Sequence, residues 1–144
     1  MKPLPHHYTV KAEGAPDGLV PLSAKGLQNL DTAAPADFGG PGDQWSPETL
    51  ITGAVADCFI LTFRAIALAS GFAWISLSCE VEGVLDRVDG ATRFTDFAIR
   101  PRLVLAAAGD QAKGERLLEK AEKSCLITNS LRATTRLEPI VSAY

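Results

Sequence analysis

Residues 50–75 read LITGAVADCFILTFRAIALASGFAWI, and how this stretch is read decides the fold. It is long enough to span a bilayer and holds only two charges, Asp57 and Arg64. Each charge near a membrane midplane costs roughly 2.5–3.5 kcal/mol. Ser70-Gly71 supplies a helix stop before the span is complete, and no positively charged flank marks an orientation. The stretch therefore predicts a buried core helix rather than a membrane span. Its start is signalled by Ser46-Pro47-Glu48: serine accepts from the exposed N–H groups, proline suits the first helical position, and glutamate complements the positive end of the helix dipole. The helix should run to about Ser70, apolar nearly all round and buried on most sides.

Upstream, residues 8–13, 20–23 and 27–32 are short β-prone runs separated by turn residues, with Pro16-Asp17-Gly18 the strongest of these. They predict a small antiparallel meander. Residues 33–43 follow, a Gly/Pro/Asp-rich loop long for a connector, which suggests a functional loop or one crossing to a partner subunit. Downstream, residues 75–85 alternate, with Ile75, Leu77, Cys79 and Val81 on one face and Ser76, Ser78, Glu80 and Glu82 on the other. That is a strand with one wet face. Asp89-Gly90 marks a hairpin into a strand over residues 92–105, on which Thr95, Phe97, Ile99, Leu103 and Leu105 share a face. An amphipathic helix over 110–123, a short helix or turn over 125–132 and a closing strand over 134–141 complete the order βββ–α–ββ–α–(α)–β. This is an α+β chain, expected to form a single domain over residues 1–144.

Composition narrows the function. Of 144 residues, 47% are hydrophobic and 22% charged, which excludes a disordered chain. The net charge of −3 is uneven: through residue 63 there are three lysines and seven acids. No basic stripe exists, so nucleic-acid binding lacks its electrostatic footprint. Three cysteines do not make a disulfide-stapled secreted domain. With no apolar segment near Met1, a soluble, reducing, cytoplasmic setting is expected.

Cys79, on the apolar side of its strand, reads as a small buried hydrophobe. Cys58 lies mid-helix beside Phe59 and Ile60, where position alone favours packing. Cys125 follows a helix end, and its role is open. The cysteines are spaced by 21 and 46 residues, with no Cys-x-x-Cys and no nearby histidine, so no metal site is expected. His6 and His7, close to the N-terminus, are expected to be solvated, which disfavours a Cys–His pair.

The block from Ser46-Pro47-Glu48-Thr49-Leu50 through Gly53-Ala54-Val55-Ala56-Asp57-Cys58-Phe59, with Cys125-Leu126-Ile127-Thr128-Asn129-Ser130-Leu131 placed 67 residues after Cys58, resembles the OsmC/Ohr family of osmotically inducible and organic-hydroperoxide-resistance proteins. The likeness covers the central helix through the C-terminus; the first forty residues match by strand order. It implies an OsmC-like fold, with antiparallel sheets around two long central helices in an intertwined homodimer. It also implies a cysteine-based peroxidase acting on organic hydroperoxides. Cys58 would be the peroxidatic residue and Cys125 the resolving one, with a lipoyl-type or small dithiol as reductant and no bound metal or flavin. A site among Phe59, Ile60 and Phe63 would favour alkyl peroxides.

Glu48 matches the family's active-site glutamate. Ten helical residues advance about 15 Å, so on a continuous helix Glu48 would serve the other subunit's cysteine, unless it is only a first-turn dipole partner. Two features depart from the family. Its peroxidases bring an arginine from the N-terminal region to the cysteine, and this chain has no arginine before Arg64. Lys11 or Lys25 would bring charge without a planar fork. Asp57 places a negative charge next to Cys58. Both changes are expected to raise the Cys58 pKa and weaken peroxidase activity. Leu126 also stands where a proline often follows the second cysteine. A non-catalytic binder of a small apolar or thiol-reactive ligand is the competing expectation, and a purely structural module with packing cysteines is a third.

Overall fold

The computed structural model describes residues 1–144. The chain forms two compact units, Met1–Leu50 and Ile51–Tyr144.

In the first unit, β1 (Lys11–Ala12), β2 (Val20–Ser23) and β3 (Leu30–Thr32) form an antiparallel sheet in the order β1-β2-β3. Two strands are shorter than the sequence suggests. β1 keeps only two residues of the expected run at 8–13. β3 starts three residues late because Leu27 N–H closes a turn onto the Ala24 carbonyl (3.1 Å), with Gly26 at φ 78°. The loop at 33–43 doubles back: Ala33 N–H donates to the Trp45 carbonyl (2.9 Å), and Thr32 and Trp45 bridge in parallel. Its ends meet, in the manner of a closed Ω-loop. Only Thr32 and Ser46 of this unit are buried.

The long helix α1 (Pro47–Ala69) is unbroken. Its start is a reciprocal cap, with Thr49 N–H donating to Ser46 Oγ (3.1 Å) and Ser46 N–H to Thr49 Oγ1 (2.8 Å). Its end is a Schellman motif: Gly71 at φ 56°, Phe72 N–H to the Ala67 carbonyl (2.9 Å) and Gly71 N–H to the Leu68 carbonyl (3.2 Å). The expectation of a helix buried on most sides needs correction. Only Val55, Phe59, Phe63 and Ala67, one stripe at four-residue spacing, are buried. On the other side Leu61 and Leu68 are 50% and 84% exposed. By length and hydropathy α1 could still cross a membrane, but its aromatic stripe lies in the core of the second unit.

In that unit, β4 (Ser76–Val88) and β5 (Ala91–Leu105) pair antiparallel over their whole length. Asp89 and Gly90, at φ 52° and 80°, form the two-residue turn. Helix α2 (Gln111–Ser124) buries Leu117, Leu118 and Ala121. Helix α3 (Leu126–Asn129) is a single turn. The expected closing strand is two strands, β6 (Thr134–Leu137) and β7 (Ile140–Ala143), interrupted at Glu138-Pro139, where proline lacks a ladder donor. Both run parallel to β5, so this sheet is mixed.

The core joins the α1 stripe to Phe97, Ile99, Leu103 and Leu105 of β5 and to the buried face of α2. Phe63 packs edge-on to Trp74, ring centres 5.4 Å apart. Phe63→Ala is expected to cost about 3–5 kcal/mol, read as a lower urea midpoint, while the exposed Lys120→Ala shifts stability by less than about 0.5 kcal/mol.

Candidate active site

Two pieces of backbone bring the thiols together. α1 carries Cys58 half-buried, next to core residue Phe59. Between α2 and α3, Cys125 adopts an extended conformation (φ −66°, ψ 110°), ending one helix and capping the next. A helix start leaves its first amides without intrahelical acceptors. Here the Leu126 and Ile127 amides and the Cys125 thiol lie close enough to Cys58 to lower its pKa. Polar side chains fix this turn: Thr128 Oγ1 donates to the Cys125 carbonyl (3.1 Å), Ser130 Oγ to the Leu126 carbonyl (2.7 Å) and Asn129 Nδ2 to the Lys123 carbonyl (3.2 Å). The hydroxyl and amide residues after Cys125 thus hold the amides in place.

The three thiols are tuned differently. Burial pushes the Cys58 pKa up, but hydrogen bonds from the Ile127 amide, the Cys125 thiol, Thr62 and the Leu126 amide outweigh it, and the net direction is down. Thr62 Oγ1, one turn along α1, lies 3.8 Å from Cys58 Sγ. Burial raises the Cys125 pKa, and the neighbouring Cys58 adds to the effect. Cys79, facing the core as expected, is pushed up to about 11 by burial and by Cys125. The expected rise at Cys58 is therefore overturned: neutral donors stabilise its thiolate without an arginine, and Asp57 is not among the groups that set it.

Cys58 opens into a groove of about 520 Å³. Its walls are mainly apolar, from Ala54, Leu61, Ala65 and Ile66 of α1 and from Leu126 and Ile127 of α3. Phe59 and Phe63, expected to line the site, instead point into the core and are fully buried. Asp57 lies at the groove wall. Glu48 occupies the first turn of α1 in the N-terminal unit. In the same unit Lys11 is paired with Glu13 (2.7 Å) and Lys25 is exposed in the β2–β3 turn.

Sequence reasoning missed Thr62 and the two amides. The first was visible as an i, i+4 partner of Cys58; the amides required knowing that Cys125 breaks the helix. Labelling with iodoacetamide across pH is expected to give Cys58 a midpoint below that of the same thiol in the unfolded chain. Cys79 should react only towards pH about 11. Thr62→Val removes one donor and should move the Cys58 midpoint up.

The family model for OsmC-like protein matches residues 40–139. The uncharacterized Bacillus subtilis protein YmaD is 30% identical over 138 residues, covering 92% of this chain and 91% of its own. Peroxiredoxin OsmC of Escherichia coli is 26% identical over 93 residues, 65% of this chain and 64% of that protein. Among solved structures, the OsmC-like protein VCA0330 of Vibrio cholerae superposes with a TM-score of 0.86 at 18% identity, covering 94% of this chain and 99% of that one. An organic hydroperoxide resistance protein OsmC from Legionella pneumophila gives a TM-score of 0.75 at 27% identity, covering 95% and 97%. By this match in sequence and in α+β architecture, the chain belongs to the OsmC-like family, the OsmC/Ohr proteins.

Proposed function

We propose that this protein is a thiol-dependent peroxidase that reduces organic hydroperoxides, with Cys58 peroxidatic and Cys125 resolving. The observation that carries the reading is the juxtaposition of the two thiols with opposite tuning, Cys58 down and Cys125 up, at the mouth of an apolar groove. The relatives named for peroxide chemistry, the Escherichia coli peroxiredoxin and the Legionella pneumophila hydroperoxide resistance protein, support it.

In this scheme the Cys58 thiolate attacks the terminal peroxide oxygen. The O–O bond breaks, Cys58 becomes a sulfenic acid, and the departing alkoxide takes a proton from Cys125, whose raised pKa keeps that proton in place until then. The Cys125 thiolate then attacks the sulfenic sulfur, forming a disulfide and releasing hydroxide. A lipoyl-type or small dithiol reduces the disulfide by two exchange steps and is itself oxidised. The apolar groove favours alkyl peroxides over hydrogen peroxide, since only a hydrocarbon tail gains by leaving water.

The active form is proposed to be a homodimer. A second copy would cover the exposed Leu61 and Leu68 of α1. Its helix would also bring a Glu48 that the Cys58 site cannot draw from ten residues away on its own helix.

Turnover of cumene hydroperoxide with dihydrolipoamide is expected in the wild type, with Cys58→Ser reduced to background and Cys125→Ser stalling after one turnover. If all three are equally inert while folded, the groove serves ligand binding and the peroxidase reading fails.

A further inference from the structure

A second cavity, of about 470 Å³, lies in the Ile51–Tyr144 unit and shares no lining residue with the Cys58 groove. Its volume falls in the range of small-molecule sites. Ile51, Leu85, Phe94 and Leu131 give it an apolar lining. That lining is built rather than incidental. The Phe94 ring stacks on Phe97, centres 5.1 Å apart, and Gly83 makes the room, because a Cβ there would lie 2.8 Å from both rings. The β4–β5 register also shifts at Val84/Leu85, which sets Leu85 opposite Phe94.

The charged part of the lining is basic. Arg93 and Arg132 both border the cavity, with Thr92 and Ser130. Two other arginines on this sheet are committed to carboxylates: Arg100 to Glu138 (2.8 Å) and Glu82 (3.2 Å), and Arg136 to Asp96 (2.9 Å), while Arg87 and Arg102, like the cavity's pair, make no ion pair but lie outside the cavity. Arg93 and Arg132 make no such pair. Arg93 faces Asp86 in the ladder, but the Asp86 carboxylate accepts from the Arg87 amide (2.7 Å) instead. No acidic residue lines the cavity. Ser130 spends its proton on the Leu126 carbonyl, so the donors left for a ligand are the two guanidinium groups and Thr92.

From this we infer that the cavity is a binding site for an alkyl carboxylate, with the acid head on Arg93 and Arg132 and the hydrocarbon chain on Phe94, Leu85 and Leu131. A guanidinium fork matches a planar carboxylate and holds it at roughly twice the strength of a neutral hydrogen bond. Both guanidinium groups border the same cavity with no acid in its lining, and the apolar lining selects an anion with a tail over a bare inorganic one.

The test is calorimetric titration of the full chain with decanoate, decanol and acetate. Saturable decanoate binding is expected, weakened about tenfold or more by Arg93→Gln and by Arg132→Gln, at unchanged thermal midpoint and circular dichroism. Decanol and acetate should bind far more weakly, and Cys58→Ser should bind decanoate as the wild type does. Intermolecular NMR contacts between decanoate methylenes and the Phe94 ring locate the ligand without any variant. Decanoate affinity indifferent to both substitutions, decanol binding as tightly as decanoate, or no contact to Phe94 would overturn the inference.

Discussion

The geometry of the site depends on one residue that refuses to be helical. At Cys125 the backbone turns extended between α2 and α3, so the first amides of α3 have no carbonyl one turn back and lie close enough to Cys58 to lower its pKa. Were 111–129 one continuous helix, those N–H groups would be consumed internally and Cys58 would lose the amides that offset its burial, keeping Thr62. The same break sets the Cys125 thiol beside Cys58, and burial, with Cys58 itself, raises its pKa. The placing of both thiols and of the amides near Cys58 thus follows from a single kink, fastened by Thr128, Asn129 and Ser130.

α1 is divided between two tasks. Its Val55/Phe59/Phe63/Ala67 stripe anchors it in the core and fixes where Cys58, one residue before Phe59, can point. Its remaining apolar surface carries the groove and the exposed leucines. The helix is as hydrophobic as a membrane segment because it has two apolar faces, of which its own chain covers one. Local signals at both ends, the Ser46 cap and the Gly71 stop, define its length independently of what covers it.

Much of the fold was legible in the sequence because the deciding signals are local. The caps of α1, the alternation in β4, the Asp89-Gly90 turn and the amphipathic α2 all sit within a few residues of what they control. What was not legible depends on contacts distant in the chain. Nothing near residues 134–143 says that β6 and β7 run parallel to β5, or that Glu138-Pro139 interrupts them. The cysteine pair was found through a family likeness, but its electrostatics were misjudged. Counting charged residues pointed to a raised Cys58 pKa, whereas the groups that lower it are peptide amides, the Cys125 thiol and a hydroxyl, which a tally of arginines and aspartates does not include.

The central claim is that Cys58 and Cys125 work as one redox pair. The most direct measurement is to treat the reduced protein with one equivalent of an alkyl hydroperoxide, block free thiols and map the peptides by mass spectrometry. The account predicts a Cys58–Cys125 disulfide with Cys79 still free. Both Cys58 and Cys125 recovered as free thiols, or a disulfide that joins Cys79 in place of either, would contradict it.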